Sequence, residues 1–169
     1  EADLAELEAA LPDTATMNVV YGSDSYFVTT ITNGGVLDGT SEGWCLDSFH
    51  GITRNKDYTA NVFSSYESLP EGLVGHPKNL DLVNWIVNQH FVGQSAGGGL
   101  GDYTMGDVQR AIWELIDYEV YDDFFDYNPA RVAQILAAAA SHEGFTPSCG
   151  DLVAVILQPI DGKQITIAQ

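Results

Sequence analysis

The chain has 169 residues, of which 45% are apolar and 11% aromatic, enough to bury the core of one domain and to exclude intrinsic disorder. Six Lys and Arg against 24 Asp and Glu give a formal net charge of −18, which removes the electrostatic basis for binding nucleic acid. No apolar run approaches the roughly 20 residues that span a bilayer, so we expect no membrane insertion. Only 18% of the residues are charged, so the acidity reflects scarce Lys and Arg and suits an extracellular setting.

The first half of the chain has mainly β-type composition. Residues 1–13 predict a short helix that stops at Pro12. Residues 16–32 predict two strands joined by a hairpin at Gly22-Ser23-Asp24. A glycine-rich loop then precedes two further predicted strands, and these three segments read NGGVLDGTSEG, GWCLD and YTANVFSSYE.

Three segments in the middle of the chain have the apolar spacing of helices. The first, LDLVNWIVNQHF, has Asn79 as its expected N-cap. The second begins at Thr104, and Thr104 and Asp107 stand three apart like a capping box, with Asp in place of the usual Glu or Gln. The third begins with Asn128 as its cap and has Gly144 where a left-handed stop is expected.

The chain ends with two β segments, DLVAVILQ and KQITIA, separated by a tight turn at Asp161-Gly162. The order of strands, helices and strands predicts a single α+β domain over residues 1–169. We expect a β-sandwich or barrel that is interrupted by a helical segment of about three helices at residues 79–143 or thereabouts.

One residue conflicts with the apolar face of the second predicted helix. At about 100° per residue, Gln109 falls between Ile116 and Trp113 in the apolar arc, opposite Arg110 and Glu114. A primary amide buried without partners costs on the order of 2–7 kcal/mol. Gln109 therefore either bonds to nearby backbone or has a chemical role.

Cys45 has a comparable peculiarity. In a strand through GWCLD, Gly43, Cys45 and Asp47 share one face, and Trp44 and Leu46 share the other. We expect the apolar pair to face the β core, while the thiol looks across a glycine that lets another element approach closely. Asp47 accepts a proton, orients a neighbour or is simply solvated.

One chemistry joins the cysteine and the glutamine. A thiolate held against the side-chain carbonyl carbon of a Gln expels ammonia and leaves an internal thioester, which stores an activated acyl group. The bond needs shelter from water, which Trp113, Trp85 and Tyr103 would provide, although the core explains aromatic residues there equally well. Asp47 and His50 are the candidate proton handlers because they follow the cysteine closely.

The segments GWCLD and DVQRAIWELID resemble the two signature stretches of the thioester domains of bacterial surface adhesins, including those at pilus tips. These stretches are an aromatic residue before the cysteine and a Gln-x-Ala-Ile-Trp helix. NLDLVNWIVNQ resembles the helix that precedes the Gln helix, and YTANVFSSY and GDLVAVILQP resemble flanking segments. The chain departs from the pattern at Trp44, where Tyr is frequent, and at Val108, where Thr is frequent. By this match, Cys45 and Gln109 carry over as the thioester pair.

The resemblance implies an extracellular, secreted or cell-surface adhesion domain that belongs to a longer chain with other domains. It implies a covalent binder of single turnover rather than an enzyme. An amine on a surface, or the Lys side chain of a protein ligand, attacks the thioester and stays attached to Gln109 as an amide. This chemistry requires no cofactor and no metal, and we expect neither.

A disulfide between Cys45 and Cys149 is the plain alternative. It would make the chain a non-reactive extracellular binding module and would stabilise it by about 4–5 kcal/mol in the chain-entropy model. Gln109 would then merely be hydrogen-bonded in the core.

Two other functions remain open on the sequence. A cysteine hydrolase would pair Cys45 with a histidine, but none of the candidates, His50, His76, His90 and His142, lies in a recognisable nucleophile motif. A calcium-dependent adhesion domain would use the acidic residues of DYEVYDDFFDYN, whose spacing lacks the EF-hand pattern. Those residues are Asp117, Glu119, Asp122, Asp123 and Asp126.

Overall fold

The computed structural model describes residues 4–120, 125–163 and 165–169, which form six strands and four α-helices. The strands are β1 Thr14–Tyr21, β2 Phe27–Thr32, β3 Gly39–Cys45, β4 Tyr58–Ser64, β5 Val155–Pro159 and β6 Thr166–Ala168. The helices are α1 Leu4–Ala10, α2 Leu80–Gln89, α3 Met105–Ile116 and α4 Pro129–Ala140.

The strands close into an antiparallel barrel in the order β1-β2-β3-β6-β5-β4. Apolar residues alternate along each strand, and one set forms a core cluster inside the barrel, as the two-residue period of a strand dictates. This cluster includes Met17, Val19, Phe27, Ala60 and Leu157. The α+β prediction is confirmed, with a barrel as the form of the β part.

A layer of helices covers the outer face of part of the barrel. In the described part of the chain, α2, α3 and α4 all lie between β4 and β5, so they interrupt the barrel as expected. They pack on one another and on outward residues of three strands, Trp44, Ile156 and Ile167. The shorter α1, which precedes the barrel, is a fourth helix beyond the three of this segment.

Two local expectations differ from the structure. β3 begins at Gly39, inside the segment expected to be a loop, and it ends at Cys45. Asn79 makes no side-chain cap on α2, because its Nδ2 instead donates to the Leu115 carbonyl oxygen at 2.6 Å. The capping box of Thr104 and Asp107 is confirmed, with both of its reciprocal bonds present.

The faces of β3 are opposite to those expected. Trp44 and Leu46 pack in the helical layer, whereas Cys45 lies in the cluster inside the barrel. The reason is that the helices provide a second apolar core outside the barrel, so an apolar pair is buried on either face.

Within the described ranges, none of the helices has the length and apolar character needed to cross a membrane.

Candidate functional site

Cys45 is the last residue of β3 and is completely buried, with 0% of its surface exposed. It pairs with Thr166 of β6, and the next residue, Leu46, donates its N–H to the Ile165 carbonyl at 2.9 Å. Two residues earlier, a Cβ atom on Gly43 would collide with Thr29 Oγ1 and crowd the Ile167 carbonyl. Glycine at this position therefore allows the neighbouring strands to approach closely beside the cysteine.

Gln109 approaches the cysteine from the second turn of α3. The capping box at Thr104 starts the helix, and apolar residues on the same face hold it against the barrel. The Gln109 side chain is also 0% exposed. Its Oε1 accepts a hydrogen bond from the Cys45 N–H at 2.8 Å, and its Nε2 donates to the Cys45 carbonyl at 2.8 Å.

This pair of bonds places the electrophile beside the nucleophilic residue. The carboxamide carbon of Gln109 carries the oxygen and the nitrogen that both bond to the Cys45 backbone. An amide that needed only hydrogen-bond partners in the core could bond to any backbone groups nearby. Both partners of Gln109 instead belong to Cys45, the residue with the buried thiol. The geometry therefore brings the sequence-predicted pair together.

The Cys45 thiol is held in its protonated form. Its Sγ donates a hydrogen bond to the Asp47 carbonyl oxygen at 3.3 Å. Burial raises the pKa of this thiol well above its ordinary value, and the charges of Asp47 and Asp117 raise it too, while hydrogen bonding by the Asp47 backbone acts in the opposite direction. The sulfur therefore becomes a nucleophile only when its proton leaves during the reaction.

Aromatic side chains surround the thiol inside the barrel. Trp113, from the same helix as Gln109, shares the barrel cluster with Cys45 and stacks on Phe125 at 5.3 Å between ring centroids. Tyr26 lies 6.1 Å from the Trp113 ring, and burial raises the pKa of its hydroxyl. Trp113 thus occupies the sheltering position that the sequence suggested.

The structure places the other two expected shelter residues away from the thiol. Tyr103 packs against the helical layer, where its ring contacts Phe91 and its hydroxyl donates to Gln134 Oε1 at 3.0 Å. Trp85 is in the same layer and stacks on His142 at 4.3 Å. Both therefore belong to the outer core and not to the surroundings of Cys45.

The loop after β3 is fastened to the far end of α3. Asp117, the C-cap residue of that helix, accepts hydrogen bonds from the Ser48 N–H at 2.9 Å and the Ser48 hydroxyl at 2.6 Å. Around Ser48, the Asp47 carboxylate accepts a hydrogen bond from the Phe49 N–H at 2.8 Å and contacts the His50 ring Nδ1. Asp47 and His50 therefore form a side-chain pair in the loop whose Asp47 carbonyl accepts the thiol hydrogen bond.

Sequence reasoning missed the link between Ser48 and Asp117, although a signal for it existed. A carboxylate at a helix C-terminus is unfavourable for the helix dipole, so Asp117 needs specific donors to be stable there. Tyr26 and Phe125 were also missed, because they approach the thiol from distant segments and no local pattern marks them.

The disulfide alternative does not match the structure. Cys45 is buried, Cys149 is exposed, and both are free cysteines. The histidines expected of a hydrolase are dispersed. His142 stacks on Trp85, His76 contacts Tyr118, and His90 lines a pocket beside Trp44, whereas His50 contacts the Asp47 carboxylate two residues after Cys45.

The described residues contain no group of three or more His, Cys, Asp or Glu side chains placed to hold a metal ion. Of the residues considered for calcium, Asp117 uses its carboxylate to accept hydrogen bonds from Ser48, whereas Glu119 accepts from the Ser48 hydroxyl through its main-chain carbonyl. Asp122 and Asp123 lie outside the described residues.

The barrel with its helical layer is similar to solved thioester domains. The N-terminal thioester domain of a surface protein from Clostridium perfringens matches with a TM-score of 0.52 and 13% identity, over 92% of this chain and 97% of that chain. The N-terminal domain of the Streptococcus pyogenes pilus tip adhesin Cpa matches with a TM-score of 0.50 and 11% identity, over 92% of each chain.

The pilus-presented adhesin Cpa matches in another structure with a TM-score of 0.54 and 11% identity, over 92% of this chain and 66% of that chain. The sequence matches no protein-family model and no curated protein. At this level of identity the similarity shows a shared fold.

Proposed function

We propose that Cys45 and Gln109 form an internal thioester and that the chain is an extracellular adhesion domain that uses this bond to capture amines covalently. The observation that carries the proposal is the pair of 2.8 Å hydrogen bonds between the Gln109 carboxamide and the backbone of Cys45, in a site from which water is excluded. The shared fold with thioester domains of surface proteins supports the same conclusion.

In the forming step, the Cys45 sulfur attacks the side-chain carbonyl carbon of Gln109. A carbon–sulfur bond forms, the carbon–nitrogen bond breaks, and the thiol proton passes to the departing nitrogen, which leaves as ammonia. Because the raised pKa disfavours a free thiolate, proton loss and attack are coupled. Proximity does most of the work, since both groups are already held in one place.

The backbone N–H of Cys45 has a role in this step. It donates to Gln109 Oε1 at 2.8 Å, and Oε1 is the atom on which negative charge develops in the tetrahedral intermediate. A preorganised N–H at this distance acts as an oxyanion donor. The residue that supplies the nucleophile therefore also supplies the stabilising dipole.

In the capture step, an amine attacks the thioester carbonyl carbon. The new carbon–nitrogen bond leaves the ligand attached to Gln109 as an amide, the carbon–sulfur bond breaks, and Cys45 returns to a thiol. The proton that the amine loses needs an acceptor, and the pair of Asp47 and His50 is our candidate for it. The amide does not revert to a thioester while the ligand stays attached to Gln109, so each protein molecule captures one ligand.

The partner that follows from this chemistry is an amine-bearing surface or the Lys side chain of a protein ligand. An adhesion role outside the cell is consistent with the low content of Lys and Arg and with the surface proteins that share the fold. We propose that the chain works as one domain among others in a longer surface protein.

The accurate mass of the intact protein tests the proposal. We expect the purified chain to be lighter than its sequence by one ammonia, and incubation with methylamine to add one methylamine. Cys45→Ala and the nearly isosteric Gln109→Glu should abolish both changes while the fold is retained, as judged by circular dichroism. A Cys149→Ser background removes the exposed thiol as a source of other adducts.

A mass equal to that of the sequence, or a methylamine adduct that persists in Cys45→Ala, would overturn the proposal. A mass lower by two hydrogens would instead point to a disulfide.

A further inference from the structure

A cavity of about 220 Å³ opens at the surface next to the loop that follows β3. Its volume exceeds the roughly 150 Å³ of a cavity that holds benzene, so it has room for the four methylene groups and the amino group of a lysine side chain. Most of its walls are aromatic. They are formed by Tyr21, Tyr26, Phe27, Phe49, His50, Gly51 and Ile52.

The cavity lies against the surroundings of Cys45 on two sides. On one side, Phe27 pairs with Gly43 across β2 and β3 and shares the barrel cluster with Cys45, while Tyr26 contacts Trp113. On the other side, Phe49 and His50 belong to the loop that Asp47 organises, and the Asp47 carbonyl accepts the thiol hydrogen bond. A ligand in this cavity is therefore adjacent to the proposed reaction centre.

The walls suit a side chain that has an apolar stem and a cationic end. Tyr21 is 60% exposed and Phe49 48% exposed, so both can cover methylene groups of a ligand. The face of Tyr21 already holds a cation in the structure, because the Arg54 guanidinium lies 4.1 Å from the ring centroid. The Asp47 carboxylate at the base of the loop and the net charge of −18 favour a positively charged ligand.

We propose that this cavity receives the side chain of a lysine from a partner protein, and that Tyr21 and Phe49 set which amines react. The inference rests on the proposed function and adds selectivity to it. The alkyl stem of the lysine packs between the two aromatic rings and directs the amino group past Tyr26 toward the thioester. Small amines without a stem gain nothing from these walls.

The test compares the second-order rate constants of two amines, methylamine and Nα-acetyl-lysine amide, each followed by intact mass. Each variant must first show the ammonia deficit, which establishes that its thioester has formed. In Phe49→Ala and Tyr21→Ala we expect the ratio of the lysine rate to the methylamine rate to fall by roughly fourfold, the effect of losing the burial of one methylene group. Tyr118→Ala is the matched control, since Tyr118 is 68% exposed and lies at the end of α3 away from these walls.

An unchanged ratio in both variants would overturn this inference and leave the proposed function intact. A wild-type chain that shows no ammonia deficit would overturn both. A ratio that also falls in Tyr118→Ala would show that the selectivity arises elsewhere and would likewise count against the cavity.

Discussion

Asn84 and Gln109 are two fully buried carboxamides on neighbouring helices, and they use their hydrogen bonds differently. Asn84 Oδ1 accepts from the Ala154 N–H at 2.8 Å, and its Nδ2 donates to Ser65 Oγ at 2.8 Å and to the Leu80 carbonyl at 2.8 Å. Gln109 makes both of its bonds to one residue, Cys45.

The difference separates an architectural amide from the one that we propose to be reactive. Asn84 connects α2 to the segment after β4 and to the residue before β5, so it holds three parts of the chain together. Gln109 makes both of its hydrogen bonds to a single residue, Cys45, which carries a thiol. Burial alone therefore does not distinguish the two amides, but the identity of their hydrogen-bond partners does.

Reaction with an amine should have the largest effect on the free energy of unfolding, and it tests the role that we assign to Gln109. The proposed thioester links residues 64 positions apart, and the chain-entropy model assigns such a cross-link up to about 4 kcal/mol. Methylamine opens the link, so we expect the free energy of unfolding of the wild-type chain to fall by as much as that amount, as measured by urea denaturation. The Cys45→Ala variant, treated in parallel, should show no change, and equal stability of the wild type before and after treatment would contradict the prediction.

A somewhat smaller effect is expected from Asn84→Ala. The substitution leaves the buried Ala154 N–H and the Ser65 hydroxyl without their partner, which should lower the free energy of unfolding by about 3 kcal/mol. The ammonia deficit in the mass should persist. Asn88→Ala, at a half-buried amide of the same helix, is the control and should cost less. If the ammonia deficit were lost in Asn84→Ala, the role of Asn84 could not be separated from that of Gln109.

The smallest effect is a pH dependence. In a Gln109→Ala chain the thiol stays free, and because the folded state raises its pKa, the unfolded chain loses this proton first. The free energy of unfolding should therefore fall as pH rises above the ordinary thiol pKa of 9.0, by about 1.4 kcal/mol per pH unit.

The double variant Cys45→Ala, Gln109→Ala is the reference for that slope. It retains Tyr26, Asp47 and Asp117, the titratable groups that face the thiol, so their contributions cancel in the difference between the two chains. Parallel pH profiles would mean that the site does not hold the thiol in its protonated form.

The helices were predictable because their determinants are local. Thr104 and Asp107 bond to each other within one turn, and Asn128 caps α4 through N–H groups two and three residues on. The cap expected at Asn79 failed because the Leu115 carbonyl, from another helix, competes for its side chain. Local patterns are reliable until a distant group offers a better bond.

Part of the site was predictable because its signal is local. The prediction was incomplete because the remaining determinants come from distant segments. Gln109 stood out because helical spacing put an amide on an apolar face. The direction of Cys45 was wrong because a two-residue period separates the faces of β3 without indicating which of them lies inside the barrel. Only the helical layer, which packs on Trp44, decides that question.

Arg54, whose guanidinium lies on Tyr21 at the edge of the aromatic cavity, has a consequence for a protein that reacts with amines. Arginine stays protonated near neutral pH and has no free electron pair to offer as a nucleophile, whereas lysine loses its proton more readily. A lysine at this position would place a primary amine on Tyr21, beside the cavity that we propose for the partner's lysine. For the thioester that we propose, arginine thus keeps a cation beside the cavity without adding a primary amine that competes with the partner.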